Sequence, residues 1–282
     1  MKVQPAKFLT EGDRDRKAYD LARAYLLGLE SPGVITDKVL QHYVSPPRLS
    51  TMADVFQRLL VSAQNRGMMP TVIGGAVGGL DKLGPVLYGF DPVQVIQRFT
   101  SADDLLKTII HKCKPAGKVR IVPGGLWPLF ARAVLSGARF MNQFASGPEF
   151  LAWVQTFDDD PRKRNALPLL LSEEIDGFGF ALACDFLKEL GFLNFAKPDV
   201  HVNAIVKGLK LSSETSNDYA VVKAVVRIAG HCNTTPYAVD KVFWLIGSGR
   251  FYDHPSIGRK GRLVTDRSGF IKTASRVLDG AA

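Results

Sequence analysis

Apolar residues recur at three- and four-residue steps along most of this chain, the period of helices with one buried face. Ala18 to Leu29 reads as an amphipathic helix ending near Pro32-Gly33, Met52 to Ala63 as a second, and Val93 to His111 as one or two more. Leu126 to Phe144 is a long apolar helix opened by Trp127-Pro128. Ser146-Gly-Pro-Glu149 has the form of a helix start, with serine as cap and glutamate three residues on, and leads into Phe150 to Phe157. Tyr219 to His231 and Pro236 to Ile246 continue the pattern. No alternating set of strands stands out; Val119 to Val122 and Val72-Ile73 are short candidate strands. The fold class is mainly α.

The segment from Leu170 to Val206 carries the chemistry. Leu167, Leu169, Leu170, Leu171 and Ile175 form one helical stripe, and Phe180, Ala183, Phe186, Leu187 and Leu190 form another. Between them stands Gly177-Phe178-Gly179, and Gly191 offers the left-handed stop of the second helix. Two glycines one residue apart allow a sharp turn with exposed amides, and the helix that follows adds free N–H groups and its positive dipole end. A phosphate oxygen suits that surface. An ordinary helical corner, with glycine used for tight packing, suits it too.

Lys197-Pro-Asp-Val-His-Val202 opens a third helix, with Asp199 as its cap. A carboxylate fixed at a helix start is stabilised as an anion by the dipole. Such an anion can stabilise a developing positive charge or orient and deprotonate water. The plain alternative is a capping aspartate with no chemistry.

In motif order and spacing, over roughly residues 120 to 250, the chain resembles the helix-hairpin-helix superfamily of DNA base-excision glycosylases. The resemblance implies a two-lobed helical glycosylase fold with a helix-hairpin-helix motif and a DNA-binding cleft between the lobes. Residues 119–215 would be the core and 216–282 the C-terminal helices and basic tail, with 1–118 an N-terminal helical region packing against those helices. It makes Asp199 the catalytic residue. Gly177, Phe178 and Gly179, with Lys197 and His201, become the DNA-binding residues, and Trp127, Phe140 and Ala181 the candidates for a base pocket. Double-stranded DNA is the implied partner of a monomeric enzyme that flips a modified or damaged base and hydrolyses its N-glycosidic bond. A non-catalytic DNA-binding protein that kept the clamp is the other reading.

Departures from the family pattern refine this. Members that also cut the strand carry a lysine two residues past the second hairpin glycine; here that residue is Ala181, which implies hydrolysis without lyase chemistry. Asp176 stands where relatives often have proline, and Gly137-Ala138 where relatives often carry glutamines, one of which fills the hole left by a flipped base. The smaller residues at 137, 138 and 181 raise the substrate alternative of an enlarged base, including a hypermodified phage cytosine, and so a role in antiviral defence. Cys113, Cys184 and Cys232 are too few and too scattered for the iron–sulfur cluster of some members. No metal or cofactor is expected, beyond a structural monovalent cation at the hairpin.

Composition fits. A formal charge of +9 favours an anionic partner, and 46% apolar residues over 282 suffice for a large core. Three cysteines and no secretory or membrane-spanning run indicate a reduced cytoplasmic protein, nucleoid-associated in a prokaryote. Other features carry less. Gly74-Gly-Ala-Val-Gly-Gly79 lacks the Lys-Ser/Thr of a nucleotide loop, and His42, His111, His201, His231 and His254 show no ligand spacing. Arg162-Lys-Arg164 follows Asp158-Asp-Asp160 as a self-compensating loop, Trp153 reads as core, and Arg259, Lys260, Arg262 and Arg267 are candidates for backbone contact.

Overall fold

The computed structural model describes residues 9–29, 35–44, 49–68, 71–251, 257 and 261–280. Thirteen α-helices run through them: α1 Glu11–Leu27, α2 Asp37–Tyr43, α3 Met52–Ala63, α4 Pro92–Arg98, α5 Ala102–Cys113, α6 Leu126–Met141, α7 Gly147–Asp158, α8 Ala166–Glu174, α9 Phe180–Glu189, α10 Val200–Gly208, α11 Asp218–His231, α12 Pro236–Ser248 and α13 Arg267–Leu278. The chain is mainly helical. Among the described residues no strand forms, and a lone antiparallel bridge joins Arg250 to Arg262. No helix there is long and apolar enough to cross a membrane.

Local chemistry sets the boundaries. Thr51, Ser101, Ser146, Asn217 and Thr235 each accept an amide of the helix they precede. Ser101 divides the Val93–His111 stretch into α4 and α5. At Ser146, Oγ accepts from Glu149 N at 3.3 Å while Glu149 Oε2 accepts from Ala145 N at 2.6 Å, so the reciprocal box reaches one residue beyond the cap. Neither candidate strand exists. Val72 and Ile73 lie in a π turn, Thr71–Gly75, and residues 119–122 run as an irregular loop. β-branched residues favour extended backbone only where another strand can pair with it.

Chain contacts divide the protein into two compact units, residues 47–192 and residues 1–46 with 193–282. In the first, α6 is central and packs against α3, α4, α5 and α8. Gly137 lets α3 approach it closely, because an added Cβ would lie 3.1 Å from Leu59 Cδ2 and 3.6 Å from Phe56 Cε2. Phe140, Phe144, Phe150, Trp153, Phe157 and Phe186 form a connected aromatic cluster. In the second unit α1 packs against α11, α12 and α13, and α10 against α11, α12 and α13. Buried Asp15 of α1 accepts from Arg227 Nε at 2.8 Å and Nη2 at 3.0 Å, and lies 2.7 Å from His231 Nδ1.

This division falls at 46/47 and 192/193, not at the boundaries 118/119 and 215/216 expected from the sequence. α1 and α2 do pack with the C-terminal helices, α1 on α11, α12 and α13 and α2 on α12. Within residues 47–118, the apolar face of α3 (Val55, Phe56, Leu59, Leu60) is buried, and the helix packs on α6 and α9.

Candidate functional site

Asp199 stands at the entrance of α10 in the unit that holds the C-terminal helices. The loop before it is anchored: Phe195 and Ala196 are buried, and the amide of Lys197 donates to the buried carboxylate of Asp240. Asn203 Nδ2 donates to the carbonyl of Pro198 at 2.7 Å and to Asp218 Oδ1 at 3.2 Å, bracing the same turn from inside the helix. Asp199 itself is extended (φ −80°, ψ 178°), and its Oδ1 accepts from the amides of His201 at 2.8 Å and Val202 at 3.0 Å. Its Oδ2 makes no hydrogen bond or ion pair among the described residues. One oxygen is fixed, and the other is available.

Cations gather around the neighbouring His201. His201 Nδ1 lies 3.3 Å from Arg267 Nη1, which also reaches the carbonyl of Val200 at 3.4 Å. A guanidinium has only donors, so His201 Nδ1 accepts and Nε2 carries the proton. Burial holds the His201 pKa below its usual value; Asp199 pulls the other way, and Arg267, Arg250 and Lys197 push it down further. The close seating of His201 depends on Gly247 of α12, where an added Cβ would lie 2.6 Å from both Cγ and Nδ1 of the imidazole.

The turn between α8 and α9 belongs to the other unit. Ile175 and Phe178 are buried beneath it, and Phe178 N donates to Ile175 O at 3.0 Å to close it. Asp176 N donates to Ser136 Oγ at 2.9 Å, tying the turn to α6. Gly177 has φ +72°, a left-handed conformation that glycine adopts without strain. Gly179 differs: its φ of −73° suits any residue, and an added Cβ would meet nothing within 4 Å. The chain's own backbone does not require glycine there. The N–H groups of Gly179 and Ala181 appear in no hydrogen bond among the described residues, and α9 has no side-chain cap.

The carbonyl of Gly177 accepts from Arg66 Nη1 at 2.6 Å. A guanidinium therefore already lies against one of the carbonyl oxygens of this turn. Exposed Glu173, Glu174 and Asp176 on the approach oppose an anion, and Arg66 offsets them in part.

The three candidate pocket residues are not brought together. Trp127 and Phe140 are each buried, in the first and last turns of the 16-residue α6, so they stand about 20 Å apart along its axis. Phe140 packs edge-on against Phe144 and Trp153 as core. Ala181 is half-buried in the first turn of α9. A small cleft beside the turn is lined instead by Gln64, Arg66, Ile73, Leu126, Leu129 and Gly177. The 74–79 glycine segment folds on itself, with Gly79 N donating to Gly74 O at 2.7 Å and Gly78 N to Gly75 O at 3.3 Å, while Gly74 N donates to Gln64 Oε1 at 3.1 Å, so three of its amides are already engaged.

Arg164 pairs with Asp158 at 3.0 Å and Arg162 with Asp160 at 3.9 Å, the compensation expected of that loop. His254, Arg259, Lys260 and the Pro32-Gly33 helix end lie outside the described residues. Among the described residues no group of three or more His, Cys, Asp or Glu side chains is placed to hold a metal ion. Arg66, Arg250, Ser136 and Gly247 were not legible as site residues, because each acts through a neighbour distant in sequence. No protein-family model matches the chain, and no match is found among curated proteins or solved structures.

Proposed function

We propose that the protein is a monofunctional DNA glycosylase, with Asp199 as its catalytic carboxylate. The observation that carries this reading is the division of labour within that side chain: Oδ1 is held by two α10 amides while Oδ2 has no partner among the described residues, and Arg267, Arg250 and Lys197 gather at its neighbour His201. A capping role alone accounts for Oδ1 and leaves Oδ2 unused. Anionic DNA accounts for the cations.

In the reaction, the C1′–N bond breaks, the base departs with the bonding pair and is protonated from solvent, and positive charge builds on the sugar. The Asp199 carboxylate stabilises that charge and takes a proton from the water whose oxygen bonds to C1′, leaving an abasic sugar. No amine is present at Ala181, so the expected product is an intact abasic strand that breaks only in alkali. The helix-hairpin-helix reading of α8, its turn and α9 is supported by the left-handed Gly177, the unobstructed Gly179 and the unused amides beside it. Such contacts bind phosphate without reading sequence. On this reading the enzyme works as a monomer on duplex DNA in the cytoplasm, or on the nucleoid of a prokaryote. Base release from a panel of duplexes carrying deaminated, alkylated, oxidised or hypermodified bases tests it, with borohydride included. A trapped protein–DNA adduct contradicts the monofunctional assignment, and DNA binding without any release favours the non-catalytic reading.

A further inference from the structure

α13 is packed along α10 with both helices running the same way. Arg267, in its first turn, reaches the carbonyl of Val200 at 3.4 Å, and Ser275 Oγ, about two turns on, donates to the carbonyl of Gly208 at 3.0 Å. Gly208 allows this closeness, because an added Cβ would lie 2.7 Å from Ile271 Cγ2. The start of α13 is fixed on two sides. Asp266 Oδ1 accepts from Gly269 N at 2.8 Å, and Asp266 N donates to Tyr25 Oη of α1 at 2.7 Å. Arg267 is therefore delivered to the first turn of α10 by a helix anchored at both ends.

Arg267 does not take a carboxylate there. A guanidinium beside an acid ordinarily pairs with it, often bidentately. Arg267 makes no ion pair among the described residues; its Nη1 donates instead to Val200 O and His201 Nδ1, one and two residues past Asp199. The imidazole is thereby turned to α13 and seated over Gly247 of α12. Burial, the largest influence on it, favours its neutral form; Asp199 opposes this, and Arg267, Arg250 and Lys197 support it. On the other elements packed against α10, Asp218 of α11 is turned to Asn203 and Asp240 of α12 to Lys197 N.

We infer that Arg267 is a positioning residue for the reaction: it holds the His201 imidazole neutral and turned to α13, so that no positive charge forms on α10 beside the Asp199 carboxylate. An imidazolium there would oppose the positive charge building on the sugar and would compete for Asp199 Oδ2. A guanidinium keeps its charge at any working pH. The cation thus stays on α13, tied to acceptors other than the reacting carboxylate. The inference rests on the DNA glycosylase reading and adds to it the device that keeps that carboxylate unpaired.

The test uses the full chain in two measurements. In the first, the His201 imidazole, identified by its absence from His201→Asn, is titrated by NMR in the wild type, Arg267→Lys and Arg267→Met. Lysine keeps a donor and a charge; methionine keeps an unbranched side chain and loses both. His201 should titrate at higher pH in Arg267→Met than in the wild type, and Arg267→Lys should stay close to the wild type. In the second, single-turnover base release is followed from about pH 8 to about pH 5 with enzyme in saturating excess, each variant normalised to its own rate at the upper end. Arg267→Met should fall several-fold further toward acid than the wild type, while Arg267→Lys keeps the wild-type shape. Arg267→Met/His201→Asn should lose the added fall. An arginine that only braces the fold or holds phosphate would change stability, affinity or rate and leave that shape unaltered.

An unshifted His201 titration in Arg267→Met overturns the inference. So does an unchanged profile, or an added fall that persists in the double variant. Should Arg267→Met fail to fold, Arg267→Leu takes its place with the same expectations. A wild type that releases no base overturns the glycosylase reading and the inference with it; release with an unshifted His201 overturns the inference alone.

Discussion

Replacing Gly247 with alanine should disturb the candidate site through His201, without altering Asp199 itself. The new methyl would lie 2.6 Å from His201 Cγ and Nδ1, and nearer still to His201 Cβ. Carbon contacts are comfortable at about 3.5–4.0 Å, so the shortfall is roughly 1 Å. Turning the imidazole does not relieve it, because the Cβ overlap remains; α10 and α12 must move apart. Overpacking of this kind costs about 1–3 kcal/mol, and each kcal/mol lowers the melting temperature of a chain this size by roughly 2–4 °C. Asp199 caps the end of α10 that is displaced. A misplacement of about 1 Å at a reacting group costs on the order of 100-fold in rate.

Calorimetry should therefore show a fall of several degrees for Gly247→Ala, and single-turnover base release a loss near 100-fold. His201→Gly removes the atoms that clash. The Gly247→Ala/His201→Gly double variant should then be no less stable than His201→Gly alone. Wild-type stability in Gly247→Ala, or simple additivity in the double variant, would refute the reasoning.

Three further outcomes are expected. Asp15→Ala leaves Arg227 and His231 without their buried partner; those side chains are 31% and 34% exposed, so a loss near the lower end of the usual 3–5 kcal/mol, about 3 kcal/mol, should appear in denaturant titration. His201 has its folded-state pKa below the ordinary value, chiefly through burial, so the unfolded chain binds the proton more readily; the contribution is full above about pH 6.5 and is lost as pH falls through the folded-state pKa. The melting temperature of the wild type should accordingly fall more between pH 7 and 5 than that of His201→Asn. Asp176→Asn removes an exposed negative charge beside the α8–α9 turn, and duplex affinity at low salt should rise a few-fold, the gain fading as salt is added.

What the sequence made legible was local. Met52–Ala63 is a helix with those bounds because its apolar face and its Thr51 cap lie within one segment. The start at Ser146 and the Asp199 cap were legible for the same reason: a side chain meets an amide two or three residues away. Placement across the chain was not legible. Nothing in Val55, Phe56 and Leu59 says that α3 lies against α6, and the closeness allowed by Gly137 needs both helices in view. Trp127 and Phe140 are joint candidates by residue type alone, and the length of α6 keeps them apart. Arg66 shows why the turn could be read only in part: its bond to Gly177 spans 111 residues of chain.

The most direct test of the central claim is base release by wild type and Asp199→Asn, measured in parallel on duplexes carrying deaminated, alkylated, oxidised and hypermodified bases. Asparagine keeps an oxygen for the amides of His201 and Val202, so the helix cap and the fold should survive while the carboxylate charge is removed. The account predicts release of at least one base by the wild type, loss of that release in Asp199→Asn, and duplex affinity within a few-fold of wild type. Full turnover by Asp199→Asn would contradict it.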